Sequence, residues 1–345
     1  MTTTPQILMT PAQLEPAVKL VQNALEQLNK ILLGREQLHR MVLVGLLSRG
    51  HILLEGLPGL GKTALIHAIG RILQLEFKRV QFTPDLMPGD ILGTHILQGS
   101  SDGTRQMVFQ PGPVFTNILL ADEINRASPK TQSAMLETMQ ERSVTLLGTT
   151  RALPSPFFVL ASQNPIELEG TYPLPEAQID RFLFKLMTEQ VETPVLESII
   201  STRRHGQPPA PTWTMSAAEL EHLFGAVGGI FLPKQVARYI ARLVNATHPA
   251  NNDVPEMVKT YVTYGASPRA AIGMAEAARA CALIHGRPTA GFEDVKEVAP
   301  AILNHRMILN YKAKFDTVDA FAVVASVLKH VDEAGLDLPG SIHVE

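Results

Sequence analysis

The sequence predicts an α/β fold, in which helices cover both faces of a parallel β-sheet, followed by a region that is entirely helical. In roughly the first 190 residues, short apolar segments of strand length alternate with segments whose apolar residues recur at helical spacing. Beyond that point the strand pattern disappears, and helical spacing continues almost to the end. Alternation of this kind is typical of a parallel sheet with its connecting helices packed against it.

The strand and helix signals of the first region follow one another closely. Two leading helices are predicted over residues 14–33 and 34–50, and Gly50 closes the second. The helix KTALIHAIGRILQ covers residues 62–74. The predicted strands are HILLEG (51–56), FKRVQF (77–82), ILLA (118–121), FFVLAS (157–162) and FLFKL (182–186).

A change of character near residue 189 predicts a domain boundary. We therefore expect a first domain over residues 1–189 and a second over 190–345, joined by the Pro-rich segment HGQPPAPTW. The helices predicted in the second domain cover residues 218–227, 233–247, 267–286, 292–308 and 320–335.

Composition disfavours several classes of protein. The formal net charge of the 345 residues is −3, and the one basic run is TRRHG at 202–206, so nucleic-acid binding is disfavoured. Neither a signal peptide nor an apolar run of the roughly 20 residues that span a bilayer is visible, so we expect a cytoplasmic protein. The single cysteine, Cys281, excludes an internal disulfide and disfavours a cysteine-based metal cluster. The 11 histidines form no H-E-x-x-H pattern, and packed or capped positions are expected for them.

Residues 56–63, GLPGLGKT, match the G-x-x-x-x-G-K-[ST] pattern of a phosphate-binding loop in full. They follow a predicted strand and begin a predicted helix, which is the context that this loop requires. The glycines let the backbone wrap around a phosphate, and N–H groups of the loop and helix terminus point at its oxygens. Lys62 adds a positive charge near the β- and γ-phosphates, and the Thr63 hydroxyl is available to Mg²⁺.

Two adjacent carboxylates, Asp122 and Glu123, end the apolar segment ILLA. Buried carboxylates are costly unless a cation meets them, and an acid after an apolar strand is a usual magnesium-binding element of such sites. Asp122 is therefore predicted to hold Mg²⁺ together with Thr63. Glu123 is not needed as a metal ligand, so it can polarise a water for attack on the γ-phosphate. This arrangement favours hydrolysis over transfer to a small acceptor.

Three further polar residues complete the predicted site. Asn164 follows the next apolar strand, where its amide could place the same water. Arg181 precedes another strand, and Arg269 begins a helix of the second domain. Each of these residues is weak evidence by itself, but together they fit one pattern.

That pattern resembles the MoxR family of AAA+ ATPases. The matching segments are GHILLEGLPGLGKT, QFTPDLMPGDILG, LLADEINRASPKTQSAMLETMQER, VLASQNPIELEGTYPLPEAQIDRF, GASPRA and LNHR, and the similarity covers roughly residues 18–310. The resemblance implies a P-loop αβα nucleotide-binding domain with a parallel five-stranded sheet and a C-terminal all-helical lid domain. It also implies a ring of identical subunits, usually six, that hydrolyses ATP with Mg²⁺.

The resemblance also implies roles for individual residues. Asp122 and Glu123 are the Walker B pair, Asn164 is sensor 1, and Arg181 is an arginine finger that acts on the neighbouring subunit's ATP. The catalytic set that the resemblance implies is Lys62, Glu123, Asn164 and Arg181. Arg126 is a further candidate for a contact between subunits, and an ordinary arginine at a helix start is the alternative. The residues expected to bind ATP are Gly56, Leu57, Pro58, Gly59, Leu60, Gly61, Lys62, Thr63, Ala64 and Arg269, the last at the sensor 2 position.

One position departs from the family pattern. Members often have an arginine after "AT" in the lid, where this sequence has His248. Any charge contact made there would depend on pH.

By resemblance, the chain carries two hairpin insertions and acts on a partner protein. Residues 91–110, around the turn GSSDG, and residues 142–158, turning at Gly148, fit these hairpins. The implied partner often contains a von Willebrand factor A domain, and the outcome is metal or cofactor insertion or complex assembly. A nucleic-acid or metal-chelatase motor subunit is the alternative from the related hairpin-insert class. A P-loop kinase, which needs no neighbour's arginine, is a third hypothesis.

Overall fold

The computed structural model describes residues 9–56, 61–99, 105–164, 171–188, 190–203 and 207–333. The α-helices are α1 (Pro11–Ile31), α2 (Glu36–Leu47), α3 (Lys62–Ile72), α4 (Pro88–Leu92), α5 (Pro129–Glu141), α6 (Glu176–Ile179), α7 (Thr193–Thr202), α8 (Ala217–Gly229), α9 (Lys234–Asn245), α10 (Glu256–Tyr261), α11 (Pro268–Ile284), α12 (Phe292–Leu303), α13 (Tyr311–Phe315) and α14 (Ala320–His330). The strands are β1 (Ile52–Glu55), β2 (Phe77–Gln81), β3 (Gly93–Gly99), β4 (Arg105–Pro111), β5 (Ile118–Asp122), β6 (Ser143–Leu146), β7 (Thr149–Ala152), β8 (Phe158–Gln163), β9 (Phe184–Met187), β10 (Val262–Tyr264) and β11 (Ile308–Leu309).

The central sheet has five strands in the order β2-β5-β8-β1-β9, and all neighbouring strands are parallel. The three inner strands are buried almost throughout, which explains why their sequences are continuous apolar runs rather than alternating patterns. The predicted α/β class and five-stranded sheet are therefore confirmed.

One face of the sheet packs against α5 to form a continuous hydrophobic core. Leu119 and Ala121 of β5 point to this face and are completely buried, as are Met135 and Leu136 of α5. His51 joins the same packing: its Nδ1 accepts a hydrogen bond from the Val159 amide, and its Nε2 lies 3.0 Å from the Met139 carbonyl. Burial lowers the pKa of His51 to about 4, so it is a neutral packed histidine near neutral pH.

The chain divides into two compact units, one over residues 15–227 and the other over residues 228–345 with the N-terminal segment. The predicted domain boundary near residue 189 rests on sequence character alone and stays a prediction. Among the described residues, no helix is both apolar enough and long enough to cross a membrane.

Two antiparallel hairpins branch from the first unit. In the first, β3 pairs with β4 from Gly93 opposite Pro111 to Gly99 opposite Arg105, and the turn at residues 100–104 lies outside the described part. In the second, β6 pairs with β7 across Leu147 and Gly148, which both have positive φ. Two positive φ values in a two-residue turn match the right-handed twist of the flanking strands.

The second unit is mainly helical but includes one short pair of strands. β10 and β11, of three and two residues, pair antiparallel. In the same unit, α12 ends at Leu303 rather than continuing to residue 308 as the sequence predicts. Strands this short carry too few residues for an alternating pattern to be recognised.

Candidate functional site

A cavity of about 430 Å³ lies at the carboxyl ends of three adjacent strands, β5, β8 and β1. Seven of the predicted residues line it together: Gly61, Lys62, Thr63, Ala64, Asp122, Glu123 and Asn164. Because the carboxyl ends of neighbouring parallel strands meet at one edge of a sheet, residues far apart in sequence converge there. The remaining lining residues are Arg79 and Gln81.

The described ends of the predicted phosphate loop have the backbone conformation that such a loop requires. Gly56 lies so close to Thr188 that an added Cβ would collide with the threonine hydroxyl. Gly61 has φ of 76° and directly precedes α3, where an L side chain would be strained. Leu57, Pro58, Gly59 and Leu60 lie outside the described residues.

Lys62 is half-buried at the start of α3, and its Nζ donates a hydrogen bond to the Gly56 carbonyl at 2.6 Å. Burial lowers the pKa of Lys62, and the carboxylates of Asp122, Glu123 and Glu55 oppose that effect. The lysine thus faces both carboxylates of the predicted pair across the cavity. An anion bound here would further favour the charged form of the lysine.

Asp122 is held by groups from the strands on either side of β5. Arg79 of β2 forms an ion pair with Asp122, with the guanidinium nitrogen 2.7 Å from Oδ2. Ser162 of β8 donates its hydroxyl to Oδ1 at 2.5 Å. Arg79 is therefore the cation that faces this carboxylate in the protein without nucleotide, and the sequence patterns do not single it out.

Glu123 has a strained backbone and a firmly held side chain. Its φ and ψ of 55° and 50° are left-handed, which for a residue other than glycine is uncommon and often found at functional sites. Its backbone N–H donates to Ser162 Oγ at 2.9 Å. Its Oε2 accepts hydrogen bonds from Gln81 at 2.7 Å and Arg126 at 3.0 Å. Two neighbouring side chains thus hold the carboxylate where it lines the cavity.

The donor set fits a magnesium ion. Mg²⁺ prefers oxygen ligands and keeps several waters, so one carboxylate and one hydroxyl beside a phosphate chain are sufficient protein ligands. Thr63 and Asp122 offer these two oxygens, and both line the cavity.

Neither of the two predicted arginines is among the described residues that line this cavity. Arg181 follows α6, and it is not among the described residues that line the cavity. Its Nε is buried without a hydrogen-bond partner in the described part of the protein. Arg269 is the second residue of α11 in the helical unit. In that unit, His248 Nε2 lies 3.0 Å from the Ala266 carbonyl.

A second cavity, of about 320 Å³, shares Gly61 and Ala64 with the first. Three segments form its mainly apolar wall: the end of α1 with the start of α2, the start of α3, and α7 with its flanking loops. The apolar residues among its lining are Leu32, Leu33, Leu38, Leu65, Val191, Leu196, Ile199 and Pro208. An apolar slot that adjoins a phosphate site is suited to a flat heterocyclic base.

A larger cavity, of about 570 Å³, lies beside Gly34–Leu38 and Val195. None of the described phosphate-site residues lines it.

Sequence reasoning missed Arg79, Gln81 and Ser162 as well as the apolar cavity. Arg79 and Gln81 are two residues apart on β2, so they lie on the same face of the sheet, and this spacing is visible in the sequence. Their approach to the carboxylates depends on β2 lying next to β5, which no local pattern reveals.

Comparisons with known proteins agree with this geometry. Residues 51–184 match a family model described as the ATPase family associated with various cellular activities (AAA), and residues 255–327 match an AAA lid domain. Chaperone MoxR1 of Mycobacterium tuberculosis is 44% identical over 91% of this chain and 82% of its own length. Protein MoxR of Methylorubrum extorquens is 31% identical over 82% of this chain and 86% of its own. A crystal structure of a candidate ATPase from Cytophaga hutchinsonii has a TM-score of 0.84 at 38% identity and covers 93% of this chain and 97% of that one.

These relatives match over both the nucleotide-binding unit and the lid, at identities well above those that show a fold alone. The chain therefore belongs to the MoxR family of AAA+ ATPases.

Proposed function

We propose that this protein hydrolyses ATP between subunits of a homo-oligomeric ring, six-membered by resemblance, and uses the reaction to remodel a partner protein. The observation that carries the ATPase part is the convergence of Lys62, Asp122, Glu123 and Asn164 on one cavity. The ring and the partner come from the family resemblance, and the cytoplasmic location is what the amino-acid sequence predicts.

The residues of the cavity have distinct tasks in hydrolysis. Lys62 and the amides at the start of α3 bind the β- and γ-phosphates. Thr63 and Asp122 hold Mg²⁺, which supplies charge neutralisation on the phosphate oxygens. Glu123 accepts a proton from the attacking water while the water oxygen bonds to the γ-phosphorus and the bridging oxygen leaves with ADP. Asn164 orients that water. In the protein alone, Arg79 engages Asp122, so metal binding has to displace or share that ion pair.

We further propose that the apolar cavity of about 320 Å³ holds the adenine base. Replacing Leu196 with aspartate should raise the Kd for ATP at least tenfold, or about 1.4 kcal/mol, because a carboxylate would be desolvated against the base. Ile200→Asp is the matched control, since Ile200 lies on the same helix and is 73% exposed but does not line the cavity. Calorimetric titration in the Glu123→Gln background measures Kd without consuming ATP. Equal Kd values for the two variants would place the base elsewhere.

Arg181 is proposed to reach the ATP of the adjoining subunit. Two observations on the described residues support this role: Arg181 is not among those that line the cavity of its own chain, and its buried Nε has no hydrogen-bond partner among them. Arg269 is proposed to contact nucleotide from the lid, and Arg126 to contribute to the contact between subunits in addition to its hydrogen bond with Glu123.

The hairpin of β3 and β4 is proposed as the element that works on the partner. It exposes a cross-strand pair of apolar side chains, Leu97 at 58% and Met107 at 59%, although an ordinary surface hairpin would be polar on its outer faces. The partner is proposed to be a protein with a von Willebrand factor A domain. The one basic run does not favour a nucleic acid, because its Arg203 donates hydrogen bonds to the Ile31 and Lys30 carbonyls at the end of α1.

Replacing Leu97 and Met107 with serine should lower recovery of that partner at least tenfold, because the apolar contact is lost. ATP Kd and turnover should stay within twofold. The matched control replaces Gln98 and Gln106, the next cross-strand pair, with serine. Recovery is measured by affinity capture from cells. Both double variants are made in the Glu123→Gln form, which is expected to hold ATP. If both double variants recover the partner equally well, this hairpin face does not bind it.

A further inference from the structure

A thiol, an imidazole and a carboxylate meet in the helical unit. Cys281 lies in the last turns of α11, and His285 follows one turn later at the residue that ends the helix. Residues four apart lie on the same face of a helix. Glu297 belongs to α12, which is the next helix in the chain. The turn between α11 and α12 therefore brings the three side chains together.

The atoms that can ligate a metal lie close to one another. Cys281 Sγ is 3.2 Å from Glu297 Oε2 and 3.7 Å from His285 Nδ1. His285 Nε2 is 3.7 Å from Glu297 Oε2. One ligand atom from each residue lies within 4.8 Å of the others.

These separations match those around a tetrahedral cation. With Zn–S of about 2.3 Å and Zn–N or Zn–O of about 2.0–2.2 Å, ligand atoms of a tetrahedron lie about 3.4–3.6 Å apart. With Nε2 as the histidine ligand, the Sγ–Oε2 separation of 3.2 Å and the Nε2–Oε2 separation of 3.7 Å bracket that range, and the 3.7 Å from Sγ to the histidine is measured to Nδ1. A cation could bind here after side-chain adjustments of a few tenths of an ångström, together with a rotation of the imidazole ring toward it.

A completely buried carboxylate supports the histidine from behind. Asp294 Oδ1 lies 3.5 Å from His285 Nδ1, and Asp294 Oδ2 accepts the Gly291 amide hydrogen at 2.8 Å. Arg287 donates to the same carboxylate. A metal-bound histidine usually donates its other ring nitrogen to a carboxylate, which fixes the orientation of the ring. Asp294 is placed to do this if Nε2 binds the cation.

The local charge also favours a cation. Two carboxylates, of Asp294 and Glu297, contact the group, and Arg287 pairs with Asp294 and Glu293 while one of its nitrogens lies 3.4 Å from His285 Nδ1. The excess of these four charged side chains is therefore negative. Cys281 is completely buried, but one-third of the His285 side chain and one-fifth of the Glu297 side chain are exposed, which leaves a path for an ion.

We propose that Cys281, His285 and Glu297 bind one divalent cation of the zinc class, with a water as the fourth ligand. Thiolate and imidazole ligands in a tetrahedral arrangement select zinc over magnesium or calcium. Binding releases the thiol proton to solvent, and the cation then joins the end of α11 to α12. This site is independent of ATP hydrolysis.

Without a cation, the same contacts form a simpler arrangement in which the buried thiol donates to Glu297. In the proposed site, His285 and the Cys281 sulfur bind the same ion; in the simpler arrangement, no ion is bound. Cobalt(II) separates them, because a sulfur ligand adds a strong charge-transfer absorption and tetrahedral geometry adds visible bands. Cys281 is the sole cysteine of the chain, so a thiolate–cobalt band can arise only from this site.

The experiment titrates chelator-treated full-length protein with Co²⁺ and then displaces it with Zn²⁺, with Mg²⁺ in excess to fill the nucleotide site. The wild type should bind one Co²⁺ per chain with a thiolate band that Zn²⁺ abolishes. His285→Gln and Glu297→Gln should each weaken binding at least tenfold, and Cys281→Ser should remove the band. Zn²⁺ should raise the Tm of the wild type but not the Tm of Cys281→Ser, His285→Gln or Glu297→Gln. This Tm measurement does not depend on the cobalt spectrum.

His330→Gln is the matched control. His330 also contacts a carboxylate, with Nε2 2.8 Å from Asp253 Oδ1, but no thiol accompanies that pair in the contacts of the described residues. Its cobalt affinity and band should equal those of the wild type. Absence of a thiolate band from the wild type at millimolar Co²⁺ overturns the proposal. The proposal is also overturned if the band forms and the affinity for Co²⁺ is unchanged in both His285→Gln and Glu297→Gln. Loss of ATPase activity in other variants has no bearing on this result.

Discussion

Replacing Glu123 with glutamine is expected to lower ATP turnover by about 10²–10⁴-fold, the usual contribution of a general base, while ATP remains bound. Glutamine has nearly the same size and keeps an oxygen that can accept the hydrogen bonds from Gln81 and Arg126. It cannot take a proton from the attacking water. The loss therefore falls on kcat, and the Kd for ATP should change by less than threefold.

The matched control for this change is Glu76→Gln. Glu76 is an exposed glutamate just before β2 whose ion pair is with Lys78, so its replacement should leave turnover within twofold of the wild type. Turnover is measured as phosphate release under saturating ATP, and binding by calorimetry on the same preparations. Full turnover by the Glu123→Gln protein would remove this residue from the catalytic set.

Replacing Arg181 with alanine is expected to lower turnover by about 10³–10⁵-fold, which is the contribution of an arginine finger to phosphoryl transfer. ATP binding by the same chain should be nearly unchanged, because Arg181 is not among the described residues lining its own cavity. Arg238→Ala is a matched control, since Arg238 is an exposed arginine on α9 of the helical unit. A rise in the Kd for ATP as large as the loss in turnover would instead assign Arg181 to nucleotide binding.

The sheet and the ends of the phosphate loop could be predicted because their signals are local. Each inner strand is a continuous apolar run, and Gly61, Lys62 and Thr63 stand together in a loop of fixed pattern between a strand and a helix. The carboxylate pair was found for the same reason, since it directly follows four buried residues of β5.

The environment of the carboxylates could not be predicted, because it depends on the order of strands. Arg79 reaches Asp122, and Ser162 reaches both Asp122 and the Glu123 amide, because β5 lies between β2 and β8. These strands are separated along the chain by helices and a hairpin, so no pattern within one segment announces their contact.

The apolar cavity and the Cys281 group show the same limit. The cavity wall combines segments from 32–39, 61–65 and 191–208, each of which reads as ordinary core or loop in the sequence. Cys281 is a completely buried side chain on α11. Its approach to His285 and Glu297 depends on the packing of α12 beside α11, which a spacing of C-x-x-x-H does not specify.

Mixing two inactive proteins tests most directly whether ATP is split between subunits. Glu123→Gln subunits retain Arg181, and Arg181→Ala subunits retain Glu123, so an intact site forms wherever the first donates its arginine to the second. Turnover of the mixture should follow the number of such junctions, rise to a maximum near equal proportions, and exceed that of either protein alone by at least tenfold. Each variant mixed with itself at the same total concentration gives the baseline. A mixture whose turnover is only the weighted sum of its two components, under conditions where subunits exchange, would show that each chain splits ATP without its neighbour.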